Sequence, residues 1–332
     1  MFNYPSAPLP GEHAASVIYR TFQHNCHQSI ENWFNSHLKT PFFEMPQRIW
    51  VPVYDNLAEA FQVYFSKASF IKQFTNLTDY TLFLSPQNFD SGYPSCIFHD
   101  LAKRKFEHGL QVITDRVWRY CPDCAVEDDR RFGTAYFHTE HQQYHRLSCL
   151  RHGCYLKATQ TQKFSLPPLD REREDIIAEV SILERQLQKL INIIKQVPSP
   201  ERKPRLLSLL KQKLGVSRLH RLRDHNLKGM REAHVYLAEA FNNTPMRHFF
   251  RWGALCADRY PLNAPHGLLS MLQPDRFYHP MIYLMIAVTF LDEQEQNLLV
   301  ELPFSRGENP REPLPLVIIP ESFKAPSCFG EL

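Results

Sequence analysis

Four residues near the middle of the chain have the types and the spacing of metal ligands. Cys121 and Cys124 are separated by two residues. Cys149 and His152 repeat that spacing after a loop of 24 residues. A pair with a two-residue spacer closes a tight turn around one edge of a tetrahedral Zn²⁺ ion, while the loop between the pairs is free to vary. When all four positions are taken no place remains for a water, so the pattern predicts a structural zinc site rather than a catalytic one.

The fourth ligand and the metal binding itself each have an alternative. Cys154 could replace His152, although the two-residue spacer of His152 matches the first pair better. Cysteine and histidine side chains also occur at such spacings without a metal, because reduced cysteine is often buried as a small apolar residue. The loop is longer than the roughly 15–20 residues of a usual zinc ribbon. Gly133 in the loop and Gly153 after the second pair favour the zinc interpretation.

The histidines between the two pairs do not form a catalytic signature. In a zinc deaminase a His-x-Glu precedes a Pro-Cys-x-x-Cys, whereas here His138-Thr-Glu140 follows the cysteine pair and the proline lies inside that pair. His138, His141 and His145 are therefore interpreted as residues that support the zinc ligands by hydrogen bonds or serve packing alone. A second metal site in this loop is the less favoured interpretation.

The residues around the cysteine pairs resemble the signature of the TniQ/TnsD family, bacterial proteins that choose targets for cut-and-paste transposons together with a AAA+ regulator. The resemblance is carried by Tyr120-Cys-Pro-Asp-Cys124, Asp128, Phe132-Gly133, Tyr136, His141, Cys149 and His152-Gly153. Further similarities follow in the family's order at Pro8-Leu-Pro-Gly-Glu12, Ser16, Tyr19, Arg20, Thr81-Leu-Phe-Leu-Ser85, Trp252 and the run from His279-Pro280 to Leu291. The helical region is similar to that of the TnsD-like branch.

This resemblance implies a target-selection adaptor. Such an adaptor couples recognition of a target, either attachment-site DNA or a CRISPR effector with its guide RNA, to recruitment of the AAA+ regulator, alone or as a homodimer. Two departures from the family's pattern bear on how the target is read. Residues 156–168 contain no second set of cysteines, and the chain stops at Leu332 without the long DNA-reading region of TnsD-like proteins. We therefore expect either a short adaptor or a truncated chain.

Composition predicts a folded protein of the cytoplasm, and the resemblance implies a bacterial protein close to the nucleoid. Of 332 residues, 43% are hydrophobic and 22% are charged, which is typical of globular proteins. The start of the chain lacks the basic and apolar stretches of a signal peptide. The longest apolar run, residues 281–291, is too short to span a membrane. Eight cysteines are too few for a disulfide scaffold in a chain of this length, and three of them are predicted ligands.

Periodicity and spacing predict a mainly α-helical fold in three parts. Residues 1–114 form a helical unit, in which the resemblance implies a helix-turn-helix-like arrangement. Residues 115–158 form a zinc-binding module with three cysteine ligands and one histidine ligand. Residues 159–332 form an all-helical region with helix-turn-helix-like elements and a proline-rich tail.

The third part contains two strong helix patterns. Apolar residues at helical spacing predict a helix within residues 172–197. A fully apolar run with proline at its first position predicts a buried helix from Pro280 to Leu291. Between them, another helical block is predicted to begin at His248, Phe249, Phe250 and Trp252.

The stretch from residue 201 to residue 232 is the most basic in the protein, with ten Lys and Arg against three Asp and Glu. A leucine-rich helix, a stop at Gly215 and a cap at Ser217 are compatible with a helix-turn-helix that contacts phosphates of DNA or RNA. An ordinary solvated face or a partner surface is the alternative, because the net charge of +3 does not indicate nucleic-acid binding. The candidate contact residues are Arg218, Arg221, Arg223, Lys228 and Arg231.

Common catalytic motifs are missing from the sequence. It contains no Gly-x-x-x-x-Gly-Lys-Ser/Thr phosphate loop, no His-Glu-x-x-His and no Gly-x-Ser-x-Gly. We therefore expect a protein that is not an enzyme; a zinc-dependent nuclease or hydrolase would need an open metal position. The alternative to a targeting adaptor is a zinc-stabilised, sequence-specific transcriptional regulator, which would bind duplex DNA alone with a steep salt dependence.

Overall fold

Most of the described residues lie in α-helices, as the sequence predicts. The structure is a computed structural model. It describes residues 5–25, 29–33, 52–83, 112–114, 118–159, 165–170, 172–175, 178–216, 224–242, 250–252, 268, 271–273 and 279–301. The candidate residues Arg218, Arg221 and Arg223 and the proline-rich tail lie outside these ranges.

The first part of the chain contributes short helices with one buried side each. Their bounds are α1 (Ala14–His24), α2 (Ile30–Trp33), α3 (Pro52–Ala60), α4 (Lys67–Phe74) and α5 (Leu77–Tyr80). Helix α1 begins after His13, whose Nδ1 accepts a hydrogen bond from the Ala15 amide at 3.2 Å. Ile18 of α1, Tyr54 of α3 and Phe70 of α4 are fully buried.

The central module is built from very short elements. These are β2 (Arg119–Tyr120), α6 (Pro122–Phe132), a 3₁₀ turn (Glu140–Gln142) and β3 (Lys157–Ala158), and strand β1 (Val112–Thr114) precedes them. Strands β2 and β3 are antiparallel, with Arg119 opposite Ala158 and Tyr120 opposite Lys157. This pairing brings the two ends of the module side by side.

Longer helices make up the third part. They are α7 (Ala178–Gln196), α8 (Ser199–Lys213), α9 (Asp224–Asn242), α10 (Pro280–Phe290) and α11 (Glu293–Glu301), with β4 (Phe250–Trp252) between α9 and α10. Strand β4 pairs antiparallel with β1, Val112 opposite Trp252 and Thr114 opposite Phe250. The prediction that Phe250 and Trp252 begin a helical block is therefore wrong. Strand formation in so short a segment depends on its pairing partner more than on its own periodicity.

One hydrophobic core joins the first helices to the central module. Trp118 and Phe137 of the module stack with their ring centroids 4.9 Å apart. They belong to the same buried cluster as Ile18, Tyr54 and Phe70. The module's own buried cluster is small and contains Cys121, Cys124, Cys149, Cys154 and Leu156, so these aromatic residues pack into the shared core instead.

A second core joins the module to the long helices. Tyr144 and Leu147 of the module, together with Leu82 and Phe83, belong to the buried cluster that unites α7 to α11. Phe83 meets Tyr283 of α10 edge to face, with ring centroids 5.1 Å apart. The division at residues 114 and 158 stays a prediction, and the two cores extend across both of those positions.

The segment before α1 is fixed to the module by backbone hydrogen bonds. The His13 amide donates to the Phe137 carbonyl at 2.7 Å, and the Thr139 amide donates to the Gly11 carbonyl at 2.8 Å. Next to this joint, Arg20 donates to both carboxylate oxygens of Glu12, from Nε at 2.8 Å and from Nη2 at 2.6 Å. Both side chains are buried, so each charge depends on the other for compensation.

Among the helices that the structure describes, α10 is the most completely buried. It begins at Pro280 and ends at Phe290, which confirms the predicted start and comes within one residue of the predicted end. In the described residues no helix is both long and apolar enough to cross a membrane. The Met281 amide donates to Nδ1 of His279 at 3.1 Å, so a buried histidine caps the helix. Tyr80 and Tyr144 lie edge-on to its ring, and burial lowers the pKa of His279 to about 3.

The His279 cap should make stability depend on pH. An unfolded histidine has a pKa of about 6.5, so the stability due to the neutral ring is complete above that pH and is lost as the pH falls toward the folded value. Asn in place of His279 keeps the accepting atom and does not titrate. Between pH 6 and 4, the free energy of unfolding should fall more steeply in the wild type than in His279→Asn, by about 1.4 kcal/mol per pH unit. Urea unfolding at several pH values measures the difference, and parallel slopes would contradict it.

Candidate metal centre

The structure brings the four predicted ligands together. The ligand atoms of Cys121, Cys124, Cys149 and His152 all lie within 4.8 Å of one another. Nδ1 of His152 lies 3.3 Å from Sγ of Cys121, 3.3 Å from Sγ of Cys124 and 3.5 Å from Sγ of Cys149. The Cys124 and Cys149 sulfurs are 3.6 Å apart. Bonds of about 2.3 Å to sulfur and about 2.0 Å to nitrogen give tetrahedral edges of roughly 3.5–3.8 Å, so these residues fit one tetrahedral ion.

The first ligand pair lies at the start of a helix. Cys121 is the N-cap of α6, and its sulfur accepts a hydrogen bond from the Cys124 amide at 3.4 Å. Pro122 occupies the first helical position, where no amide hydrogen is needed. The positive end of the helix dipole favours the thiolate form of both cysteines. The local sequence therefore both aims the two sulfurs and stabilises their charge.

The second ligand pair lies on a tight turn. The Gly153 amide donates to the Cys149 carbonyl at 2.8 Å, and the Cys149 amide donates to the Cys154 carbonyl at 2.9 Å. Gly153 has φ of 62°, in the left-handed region that side chains with a Cβ rarely adopt. The turn that aims Cys149 and His152 at the cluster therefore requires glycine for its backbone conformation.

A buried carboxylate on α7 holds the chain just before this turn. Glu184 accepts hydrogen bonds from the Leu147 amide, from the Ser148 amide at 2.9 Å and from the Ser148 hydroxyl. Its side chain is almost fully buried, and it lies on the same helical side as Val180, Leu187 and Ile191. Sequence analysis missed this role. An acidic residue on an apolar stripe at helical spacing is the signal that could have revealed it.

The imidazole ligand is oriented from its outer side. Nε2 of His152 lies 3.2 Å from Oε1 of Glu127, and Arg151 binds the same carboxylate at 2.6 Å. A hydrogen bond from Nε2–H to Glu127 leaves Nδ1 unprotonated and facing the three sulfurs. Glu127 lies one helical turn after Cys124, so α6 supplies both a ligand and the group that orients another ligand.

The other histidines of the loop have separate partners. Nε2 of His138 lies 2.7 Å from Oδ2 of Asp128, and Nε2 of His145 lies 3.0 Å from Oε1 of Gln188. His141 is buried beside Cys149; burial lowers its pKa, while the neighbouring Cys149 side chain opposes that shift. In the part of the chain that the structure describes, none of the three belongs to a group that could hold a metal ion.

A fourth sulfur lies beside the cluster. Sγ of the buried Cys154 is 3.4 Å from Sγ of Cys121, and it groups with Cys121 and Asp123 rather than with the other ligands. His152, not Cys154, therefore completes the tetrahedral set in this structure.

Buried sulfurs this close cannot all be charged unless a cation joins them. Hydrogen bonds from the Cys124 and Cys149 side chains lower the pKa of Cys121 to about 3. The pKa of Cys124 lies far above its usual value, first because its thiol is hydrogen-bonded to Cys121. A cation that binds every sulfur must displace that proton, so its affinity decreases as the pH falls.

The basic stretch has mostly internal partners where the structure describes its side chains. Arg202 donates to the carbonyls of Val197, Lys195 and Leu82, while Arg205 binds Glu201 and Lys213 binds Glu295, both at 2.6 Å. Of the candidate contact residues, Lys228 and Arg231 lie on α9, and Arg218, Arg221 and Arg223 lie outside the described residues.

No protein-family model matches the chain, and no curated protein is significantly similar to it. The interpretation of the site therefore depends on its geometry. Three sulfurs and one imidazole nitrogen, held by a helix start and a tight turn and supported by Glu127 and Glu184, form a group that could hold one metal ion. With four protein ligands in place, a tetrahedral ion has no open position for a substrate.

Glu184 should be important for stability because its removal leaves buried donors without an acceptor. We expect Glu184→Ala to lower the free energy of unfolding by about 2–5 kcal/mol, given about 1–3 kcal/mol for each buried donor that loses its partner. The turn that carries Cys149 should loosen, so release of bound metal to a chelator should also be faster. Urea unfolding and chelator kinetics measure the two effects. Gln186→Ala, at an exposed position of the same helix, is the control; an equal effect in both variants would contradict the role.

Proposed function

We propose that the chain is a non-enzymatic target-selection adaptor of the TniQ/TnsD type, with a structural Zn²⁺ bound by Cys121, Cys124, Cys149 and His152. In this role it couples a target-recognition event to recruitment of a AAA+ transposition regulator. The observation that carries the proposal is a joint between two distant parts of the sequence. Residues 8–20 and 120–153, which carry most of the resemblance to the family, contact each other through the loop between the two ligand pairs.

Zinc is the ion that this ligand set favours. Tetrahedral sites with thiolate and imidazole ligands are typical of Zn²⁺, whereas Mg²⁺ and Ca²⁺ prefer oxygen ligands. Each of the four ligands is held by backbone hydrogen bonds or by a neighbouring side chain, and three of them are buried. A rigid, filled coordination sphere supports a structural role.

The residues that resemble the family have structural contacts at the joint. The Tyr136 hydroxyl donates to the Pro10 carbonyl at 2.9 Å, and the Phe137 amide donates to Oγ of Ser16 at 2.8 Å. Glu12 and Arg20 form the buried ion pair beside it. These contacts account for the residue types of the two stretches without a catalytic role, which is what an adaptor requires.

The module is suited to hold two sets of helices in a fixed relation. It contributes Trp118 and Phe137 to the core of the first helices, and Tyr144 and Leu147 to the core of the long helices. An adaptor needs one surface for the target or its effector and another for the regulator. We propose that the helices on the two sides of the metal module provide these surfaces.

The zinc assignment predicts a defined metal content. The purified chain should contain about one Zn²⁺, and Cys124→Ser should lose most of it, because three ligands bind a structural zinc far less tightly than four. Structural zinc contributes on the order of 10–16 kcal/mol in zinc fingers, so Cys124→Ser should also lose cooperative thermal unfolding. Elemental analysis and differential scanning calorimetry measure both. Leu150→Ala, which changes an exposed residue between two ligands, should keep the metal; absence of zinc from the wild type would exclude the assignment.

The adaptor role predicts binding to the regulator. A tagged chain should retain its cognate AAA+ regulator when ATP and target DNA are present, and Cys124→Ser should not, because the module no longer holds the helices together. A pull-down with quantified regulator measures this. No retention by the folded, zinc-loaded wild type would refute the adaptor proposal.

DNA binding by the chain alone separates the modes of action. Tight, site-selective DNA binding without capture of the AAA+ regulator would favour the alternative function, a transcriptional regulator. The same DNA binding together with capture of the AAA+ regulator would favour a TnsD-like selector. Weak, sequence-blind DNA binding together with capture of the AAA+ regulator would favour an adaptor guided by a CRISPR effector.

If Arg218, Arg221 and Arg223 neutralise phosphates, their replacement by Gln should reduce the slope of log K against log salt by about 0.9 for each phosphate that is no longer neutralised. Replacement of the exposed Arg130 and Arg185 by Gln is the matched control.

A further inference from the structure

One buried thiol lies next to the metal ligands without being needed as a ligand. Cys121, Cys124, Cys149 and His152 already complete a tetrahedron. Cys154 is fully buried, and its sulfur lies 3.4 Å from that of Cys121, closer than the 3.6 Å between the ligands Cys124 and Cys149. A buried S–H group needs an acceptor, and the Cys121 sulfur is within hydrogen-bond distance.

The backbone around Cys154 fixes the position of this thiol. Its carbonyl accepts from the Cys149 amide at 2.9 Å inside the tight turn. On the other side Cys154 forms a β-bridge with Asp175. The amide of the next residue, Tyr155, donates to the Glu174 carbonyl at 2.9 Å. Cys154 is therefore held between the turn and the segment 172–175, beside Cys121 but outside the four-ligand group.

The alternative ligands near Cys154 do not form a comparable site. Cys154 groups with Cys121 and Asp123, but Cys121 already belongs to the tetrahedral set. Oδ2 of Asp123 is bound by Arg173 at 3.2 Å. A second ion at this place would have to share a thiolate and compete with the guanidinium for the carboxylate.

We infer that Cys154 is a positioning residue whose S–H group donates a hydrogen bond to the metal-bound thiolate of Cys121. The inference rests on the proposed zinc site. Three thiolates and a neutral imidazole give a Zn²⁺ centre one net negative charge, and this charge is buried. Hydrogen bonds from outside the coordination sphere spread that charge and hold the ligand in place. The Cys121 sulfur then accepts from two directions, from the Cys124 amide and from the Cys154 thiol.

The consequence is a metal that is released more slowly. A thiolate that accepts two hydrogen bonds is a weaker nucleophile and is held in its position at the metal. Loss of a supporting residue of this kind typically weakens metal binding by about 10–100-fold. Removal of the Cys154 donor should therefore accelerate release without changing the number of ligands.

The test compares Cys154→Ala, which removes the donor, with Cys154→Ser, which keeps a donor at the same position. All three proteins are loaded with Co²⁺, and the stoichiometry, the absorption spectrum and the rate of metal transfer to a chelator are measured. We expect one metal per chain and thiolate-to-Co²⁺ charge-transfer bands of equal intensity in all three. Release should be about 10-fold faster in Cys154→Ala, and Cys154→Ser should restore most of the wild-type rate. If Cys154→Ala does not fold, Cys154→Val replaces it.

Three results would overturn the inference. Loss of charge-transfer intensity in Cys154→Ala would make Cys154 a ligand. Two metals in the wild type and one in Cys154→Ala would make the group with Asp123 a second metal site. Equal release rates in all variants would leave packing as the only role of Cys154. A wild type that binds no metal would instead refute the zinc proposal itself, so the two failures are distinguishable.

Discussion

Buried thiolates repel one another unless a cation lies between them, and this constraint determines how the rest of the molecule is arranged. Three sulfurs, those of Cys121, Cys124 and Cys149, are almost completely buried. Each of them lies within 3.5 Å of Nδ1 of His152, about the length of one edge of a tetrahedral site. Desolvation makes such a cluster costly without an ion. A tight turn, a helix N-terminus and several hydrogen bonds nevertheless hold it. A cation at this centre converts the repulsion into the strongest local interaction of the module.

The position of the centre explains why so small a module matters to the whole chain. The loop between the ligand pairs contributes Phe137 to one core and Tyr144 to the other. Glu184 of α7 holds the chain that enters the turn at Cys149, and the segment before α1 binds the backbone at Phe137. Loss of the metal would therefore affect helices on both sides rather than the module alone. Such an arrangement is suited to holding partner surfaces in a fixed relation, which is the property that the proposed adaptor needs.

The polar groups around the centre have distinct structural tasks. Glu127 orients His152, Glu184 binds backbone amides and Arg20 neutralises Glu12. On α8, Arg202 caps carbonyls at the end of α7, and Lys213 pairs with Glu295. A part of the most basic stretch therefore stabilises the helical region itself. A count of charges along the sequence overstates the number available to nucleic acid, because buried carbonyls and carboxylates use several of them.

Features that depend on residues close along the chain are readable from the sequence. They are the types and spacing of the four ligands, the apolar stripe of α7 and the proline start of α10, and the structure contains each of them. The distant residues that support these features follow from the folded arrangement. Glu184 reaches Ser148 across 36 positions, Cys154 reaches Cys121 across 33, and β4 is a strand because β1 lies beside it. Local periodicity reports burial and backbone preference, whereas partners brought together by folding leave no spacing signal in the chain.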